Sequence, residues 1–173
     1  MRVEVSGSSM SQTLNDKDVL FMNIVKNGEG LQRGDVIVVN VSGYGIKDIH
    51  GNEVSYLIKR LIAVEGDKVK CKDGQISIMY SGTNEYVLLN ESYAYYGGMP
   101  GQDATDYDFS EYVVGEGEIF FLGDNRLNSV DSRYKESSGS HLIGRLYETT
   151  DVYGVVPTWA MEYKDILCNL FFL

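Results

Sequence analysis

The sequence predicts a predominantly β protein, folded as a coiled, barrel-like sheet with a small inserted cap and a short C-terminal helix. Three observations favour this class. Short runs of β-branched and aromatic residues recur along the chain, turns rich in glycine separate them, and helical periodicity is scarce before residue 160. The chain has 173 residues, of which 43% are hydrophobic, so it is long enough to bury a core.

The predicted strands follow one another between these turns. The run 35–41, DVIVVNV, follows a turn that ends at Gly34, and the run 54–64, VSYLIKRLIAV, ends at a Glu-Gly-Asp turn. Their β-branched and apolar content is typical of strands. We predict further strands at 18–25, 67–71, 75–79, 85–89, 117–122 and 151–156.

The stretch 72–112 differs in composition from the sequence on either side. It is rich in tyrosine, glycine and acidic residues and shows little apolar alternation, as in NESYAYYGGMPGQDATDYDFSEY. A contact surface for carbohydrate or peptide is one interpretation, and a loosely packed insertion is the other. We favour the insertion, which divides the chain into a core of residues 1–71 and 113–173 and an inserted cap of residues 72–112.

The C-terminal segment is the one place where helical spacing is clear. Its apolar residues recur at helical intervals, which predicts a short amphipathic helix that docks on the domain. The alternative is that this segment lies against a bilayer. No window reaches the roughly eighteen apolar residues that a spanning helix needs. The residues at helical spacing are Tyr163, Ile166, Leu167, Leu170 and Phe171.

Charge and cysteine content exclude several classes of partner. The chain carries 15 Lys and Arg against 25 Asp and Glu, a net charge of −10, which repels nucleic acid and anionic headgroups. Attachment to a membrane would therefore need a hydrophobic anchor rather than a basic patch. Cys71 and Cys168 form no C-x-x-C pair, so we expect no metal and no cofactor. We expect two unpaired thiols, although a single disulfide stays open.

A lysine and an arginine interrupt the apolar run 54–64. Burying the ammonium of Lys59 is costly, and a buried lysine tends to lose its proton and become a base. Such a base near a serine hydroxyl turns that serine into a nucleophile. The alternative is an edge strand in which Lys59 and Arg60 alternate and point to solvent to prevent aggregation.

Three stretches in this order resemble the bacterial type I signal peptidases, which are membrane-anchored serine proteases with a Ser–Lys dyad. They are GSSMSQTL at 7–14, KRLIAVEGD at 59–67 and GDNRLNSVDSR at 123–133. Taken alone, the first is typical of a Ser/Gly-rich turn. Together they resemble the Gram-positive-like branch of the family. The resemblance implies a serine endopeptidase that removes signal peptides from exported preproteins after small residues at −1 and −3, the A-x-A pattern.

The resemblance also assigns roles within the catalytic site. Ser9 matches the nucleophile, Lys59 the general base, and Ser129 a serine that orients the lysine amine. The backbone N–H of Ser9 is the first oxyanion donor, and the second donor is unassigned because Gly7 stands where some relatives have serine. The residues that support the active-site loop are Asp124, Arg126, Asp131 and Arg133.

The substrate and its location follow from the same resemblance. An extended peptide that adds beside a strand presents alternate side chains to one face, so the −1 and −3 residues enter neighbouring pockets. Our candidates for lining these pockets are Val5, Met10, Leu57 and Ile58. We expect a monomer at the cell membrane, with its catalytic domain on the extracytoplasmic face. Relatives carry a spanning helix ahead of the nucleophile, so we expect the membrane anchor to lie outside this sequence or near its ends.

Two functions of other classes stay open beside this one. A self-cleaving repressor shares the Ser–Lys dyad, but it requires a DNA-binding segment and an internal cleavage site, neither of which precedes Ser9. A peptide-binding module without catalysis would lack a member of the dyad or its loop, and none is missing. Eukaryotic-type relatives use histidine as the base, and this chain has His50 and His141, but the intact Lys59 disfavours that branch.

Overall fold

The structure is a computed structural model that describes residues 1–48, 50–98, 105, 108–133 and 144–171. Three antiparallel sheets dominate the regular secondary structure of these residues, which confirms the predicted β class. The strands are β1 (Arg2–Glu4), β2 (Val19–Phe21), β3 (Asn23–Ile24), β4 (Val36–Asn40), β5 (Tyr56–Ala63), β6 (Lys68–Lys72), β7 (Gln75–Met79), β8 (Val87–Leu88), β9 (Phe109–Val113), β10 (Glu118–Leu122), β11 (Tyr147–Glu148) and β12 (Val152–Val156).

The largest sheet has six strands in the order β11-β10-β5-β4-β12-β3. β5 and β4 are its two central strands, and this position explains the uninterrupted apolar run of β4. Val36 and Val38 pack in one hydrophobic cluster, and Ile37 and Val39 pack in another. Because successive side chains of a strand point to opposite faces, both faces of this part of the sheet are covered by protein.

The predicted strand 18–25 forms two strands instead of one. β2 pairs with β1, whereas β3 pairs with β12, so the chain changes partner at Met22. Met22 donates its N–H to the carbonyl of Met1, and the Met1 amino group donates to the carbonyl of Met22. The strands β1, β9 and β11 were missed because each is short or lacks clear apolar alternation, and register with a neighbour stabilises them.

A second sheet has four strands in the order β8-β7-β6-β9. Its strand β6 begins at Lys68, whereas the division predicted from the sequence placed residues up to 71 in the core and began the inserted cap at residue 72. The buried side chains of β6 and β7 pack directly against β5 and β10 of the larger sheet. The cluster they share contains Ile62, Ala63, Val69, Cys71, Ile76, Ile78, Val114, Phe120 and Leu122.

Two α-helices follow β12, α1 (Thr158–Glu162) and α2 (Lys164–Phe171). The break at Tyr163 changes which side chains face the domain. Tyr163 and Ile166, expected on the docked face, are 54% and 62% exposed. The helices instead contact the domain through the buried Ala160 and through Lys164, whose ammonium forms an ion pair with Asp18. Among the described helices, none has the length and apolar character needed to cross a bilayer.

Cys71 and Cys168 lie in separate parts of the fold and form no disulfide with each other. Cys71 is buried in the cluster between the two larger sheets. Cys168 lies on α2, where its Sγ accepts a hydrogen bond from the Val19 N–H at 3.2 Å. The expectation that the two thiols do not pair with each other is therefore confirmed.

Candidate active site

The side chain of Lys59, on β5 of the six-stranded sheet, contacts the side chain of Ser9. The Lys59 Nζ donates to the Ser9 Oγ at 2.7 Å and to the Ile58 carbonyl at 2.8 Å. Lys59 is 2% exposed, and β5 lies between β4 and β10 rather than at an edge. The alternative of a solvent-facing pair on an edge strand is therefore wrong.

Burial makes the Lys59 amine easy to deprotonate. It lowers the pKa of Lys59 from 10.5 to about 8, even though the carboxylates of Asp131 and Asp124 act in the opposite direction. No carboxylate of the described residues forms an ion pair with this ammonium. A hydroxyl and a carbonyl are its hydrogen-bond partners, and neither carries the charge that would keep it protonated.

The segment that carries Ser9 is fixed by its flanking residues. Gly7 has φ +89°, a conformation that suits glycine, and its N–H donates to the Asp16 carboxylate at 2.8 Å. Met10 is buried in the core below Ser9, and the Leu14 N–H donates to the Met10 carbonyl at 2.8 Å. Ser9 itself is only partly buried, whereas Met10 beside it is fully buried.

The loop 123–133 lies directly against this segment. A Cβ at Gly123 would come within 2.5 Å of the Ser9 carbonyl oxygen, so only glycine allows this approach. Asn125 donates its backbone N–H to the Ser9 carbonyl at 3.0 Å and its Nδ2 to the Ser8 carbonyl at 3.1 Å. The Asn128 Nδ2 donates to the Ser8 Oγ at 3.0 Å. Sequence reasoning quoted both asparagines within the loop motif but gave neither a role.

The expected ion pair between Asp131 and Arg133 is buried within the loop 123–133. Arg133 donates from Nε and Nη2 to the Asp131 carboxylate at 2.9 and 2.8 Å, and both residues are buried. Burial raises the pKa of Asp131, but Arg133 and the hydrogen bond from the Gly123 N–H outweigh it and leave that pKa lowered. Arg133 also donates to the Arg126 carbonyl at 2.9 Å, which ties the two ends of the loop together.

Asp124 and Arg126 belong to two further ion pairs whose partners were not predicted. Arg60 donates to the two Asp124 oxygens at 2.8 and 2.6 Å, and Arg126 pairs with Glu91. The Thr13 hydroxyl also donates to Asp124, at 2.6 Å, so this carboxylate links β5 to the segment that carries Ser9. Charge signs alone do not reveal such partners, because they come from distant parts of the sequence.

Ser129 does not make the hydrogen bond to Lys59 that the resemblance implied. Its hydroxyl lies near Asp131 and helps to lower the pKa of that carboxyl, but it has no well-formed hydrogen bond with any described residue. The reason is geometric: Ser129 packs against Gly123, while the Lys59 amine is directed to the Ile58 carbonyl and to Ser9.

The four residues expected to line substrate pockets do not share one surface. Val5 and Met10 are buried in one hydrophobic cluster, with the partly exposed Ile58 packed at its edge. Leu57 packs in the cluster on the other face of the sheet, because neighbouring residues of β5 alternate. Ile58 is therefore the candidate that is both accessible and adjacent to Lys59. His50 is exposed in a turn, and His141 lies outside the described residues.

One known protein family matches the part of the sequence that forms this site. The family described as signal peptidase, peptidase S26, matches residues 1–158, which is most of the chain. The chain belongs to this signal peptidase family. The matched region contains Ser9, Lys59 and the loop 123–133, and it ends at the first residue of α1.

Individual relatives in the signal peptidase family agree with this match. Signal peptidase I S of Bacillus subtilis is 35% identical over 131 residues, covering 75% of this chain and 64% of that protein. Signal peptidase I T of the same species is 37% identical over 131 residues, covering 75% of this chain and 61% of that protein. The chain thus spans less than two thirds of the length of these relatives.

A solved structure from the same family shares the fold. The crystal structure of a signal peptidase I from Enterococcus faecalis is 25% identical and superposes with a TM-score of 0.51. The superposition covers 78% of this chain and 100% of that chain. The predominantly β fold of this chain is therefore similar to that of this signal peptidase I.

Proposed function

We propose that this protein is a signal peptidase that removes N-terminal signal peptides from exported preproteins, using Ser9 as nucleophile and Lys59 as general base. One observation carries the proposal: a buried lysine amine lies 2.7 Å from the hydroxyl of a partly buried serine. Membership of the signal peptidase family supports the substrate class.

The proposed mechanism begins with a neutral Lys59. Its lone pair takes the Ser9 proton as the Ser9 Oγ attacks the scissile carbonyl, and the Ser9 N–H stabilises the negative charge that develops on the carbonyl oxygen. The protonated Lys59 then donates to the leaving amine, which releases the mature protein. A water activated by Lys59 hydrolyses the acyl-enzyme and frees the signal peptide.

The cleavage site that this mechanism serves is the A-x-A pattern. Small residues at −1 and −3 need only a shallow apolar surface, and Ile58, partly exposed and adjacent to Lys59, is the residue best placed to contribute to one. Signal peptides are presented at the membrane, so we place this activity at the extracytoplasmic face of the cell membrane.

The direct test is cleavage of a preprotein with an A-x-A site, in detergent, followed by mass spectrometry. The wild-type protein is expected to cut directly after the second alanine, and Ser9→Ala is expected to leave the substrate intact. Ser6→Ala, which removes an exposed serine from the same segment, is the matched control and should cleave normally. Cleavage by Ser9→Ala at the wild-type rate would overturn the proposed nucleophile, and no cleavage by the wild type would overturn the proposed function.

A further inference from the structure

The peptide unit between Ser8 and Ser9 is held from one side by Asn125. The Ser8 carbonyl accepts hydrogen bonds from the Asn125 Nδ2 at 3.1 Å and from the Ser11 N–H at 3.1 Å. The carbonyl of Ser9 accepts from the Asn125 backbone N–H at 3.0 Å. Asn125 is buried, so its side-chain amide is confined where it meets this carbonyl.

The same peptide unit carries the N–H that the proposed mechanism needs. In a trans peptide the C=O and N–H point in opposite directions, and the Ser8–Ser9 bond is trans. Fixing the Ser8 oxygen toward Asn125 therefore directs the Ser9 N–H away from Asn125. Within the described part of the chain, this N–H donates to no acceptor, which leaves it free for a substrate oxygen.

We propose that Asn125 is a positioning residue for the oxyanion donor, acting through the Ser8 carbonyl. The inference rests on the proposed function, because it assigns a task to the Ser9 N–H in that reaction. Preorganised donors stabilise a transition state most when they need no reorientation as charge develops. Asn125 supplies that preorganisation without touching the substrate.

The neighbouring Asn128 provides a matched control. It also donates its Nδ2 to Ser8, but the acceptor is the side-chain Oγ at 3.0 Å rather than the carbonyl, and Asn128 is exposed. Removing Asn128 deletes one hydrogen bond to the same residue while leaving the peptide unit in place. Any difference between the two alanine variants therefore reports on the carbonyl contact.

The kinetic experiment compares Asn125→Ala, Asn125→Asp and Asn128→Ala on a preprotein substrate. Asn125→Ala is expected to lower kcat about 10- to 100-fold with little change in KM, because the ground state does not use the oxyanion donor fully. Asn125→Asp, of the same size, is expected to lose as much, since an ionised carboxylate donates no hydrogen bond. Asn128→Ala should stay within about twofold of the wild type.

Two further measurements separate positioning from general damage to the fold. A peptide boronate that forms a tetrahedral adduct with the Ser9 Oγ should lose affinity for Asn125→Ala by the same factor as kcat/KM, whereas a cleaved product peptide should bind unchanged. The pH midpoint of kcat/KM should not move in Asn125→Ala, because Lys59 keeps its surroundings. Thermal unfolding of each variant establishes that it is folded under the assay conditions.

The outcomes distinguish this inference from the proposed function. If the wild type does not cleave, the proposed function fails first. If the wild type cleaves and Asn125→Ala matches Asn128→Ala, or if boronate and product affinities fall together, Asn125 does not position the donor. A shifted pH midpoint in folded Asn125→Ala would assign the loss to the base instead.

Discussion

Lys59 and Arg60 are neighbours on β5 and both are buried, but they differ in their direct partners. Arg60 lies against Asp124 in a two-point ion pair, with the Gly34 carbonyl and the Tyr93 ring as further partners. Lys59 has only a hydroxyl and a carbonyl as hydrogen-bond partners among the described residues. The two side chains therefore differ in whether a carboxylate contacts them directly.

The difference shows how a single strand supplies both a structural cation and a base. Burial lowers the pKa of both side chains, but the hydrogen bonds and charge of Asp124 overcome it at Arg60 and leave that pKa raised. At Lys59 desolvation prevails and the pKa falls to about 8. A partner carboxylate in direct contact decides whether a buried cation stays charged.

The largest effect is expected when Lys59 is replaced by a cation that cannot lose its proton, because both neighbours on β5 are then permanently charged. Lys59→Arg is expected to lower kcat/KM by roughly 10³-fold or more, because a guanidinium stays protonated and accepts no proton from Ser9. Cleavage assays across pH 6 to 10 measure the loss. Lys72→Arg, at an exposed position of the second sheet, is the control and should act as the wild type does. Substantial activity in Lys59→Arg would exclude a lysine base.

Removing the carboxylate partner of Arg60 should lower the stability of the folded protein. Asp124→Asn leaves a buried guanidinium without its carboxylate and is expected to lower the free energy of unfolding by about 3 to 4 kcal/mol. Urea denaturation measures this loss. Asp165→Asn, on the exposed side of α2, should change stability by less than about 0.5 kcal/mol. Equal effects of the two variants would show that the Arg60 pair contributes little.

The cost of burying Lys59 should appear as a pH-dependent difference in stability. Its pKa is about 8 in the folded protein and returns to 10.5 on unfolding, so between these values the unfolded chain binds more protons. Stability of the wild type therefore rises with pH across this window. Lys59→Met lacks this titration, and its stability advantage over the wild type should narrow by about 2 to 3 kcal/mol between pH 7 and pH 10. A constant difference would contradict the lowered pKa.

The smallest expected effect is the pH dependence of the wild-type enzyme. Because the neutral amine is the active form, kcat/KM should rise about tenfold per pH unit below the lysine pKa and level off above about 8. Initial rates on a preprotein at constant ionic strength provide the profile. A flat profile from pH 6 to 10 is incompatible with Lys59 as the base.

The sequence predicted which two residues meet, Ser9 and Lys59, better than it predicted the contacts that support them. Lys59 was marked by its apolar neighbours, and Ser9 by a motif that resembles a known family. Arg60 was grouped with Lys59 as a possible solvent-facing pair, because Asp124 lies 64 positions away along the chain. Contacts over such separations depend on how strands pair, and composition within a single strand does not specify that pairing.

The fold shows the same limit at its strand boundaries. The long apolar runs of β4 and β5 were predicted close to their observed bounds, since two buried faces leave little choice of residue. The run 18–25 was read as one strand because its apolar pattern is continuous, whereas its two halves pair with different sheets. The C-terminal helix was predicted, but its break at Tyr163 reversed the expected exposure of Tyr163 and Ile166.

Lys164 gives the C-terminal helices a mechanical connection to the nucleophile. Its ammonium donates to the Thr13 carbonyl and to Asp18, both at 2.9 Å, and Thr13 lies four positions after Ser9 in the same segment. A displacement of α2 by one or two ångströms would break these bonds, which act only over hydrogen-bond distances. This side chain thus connects α2 directly to the backbone segment that carries Ser9.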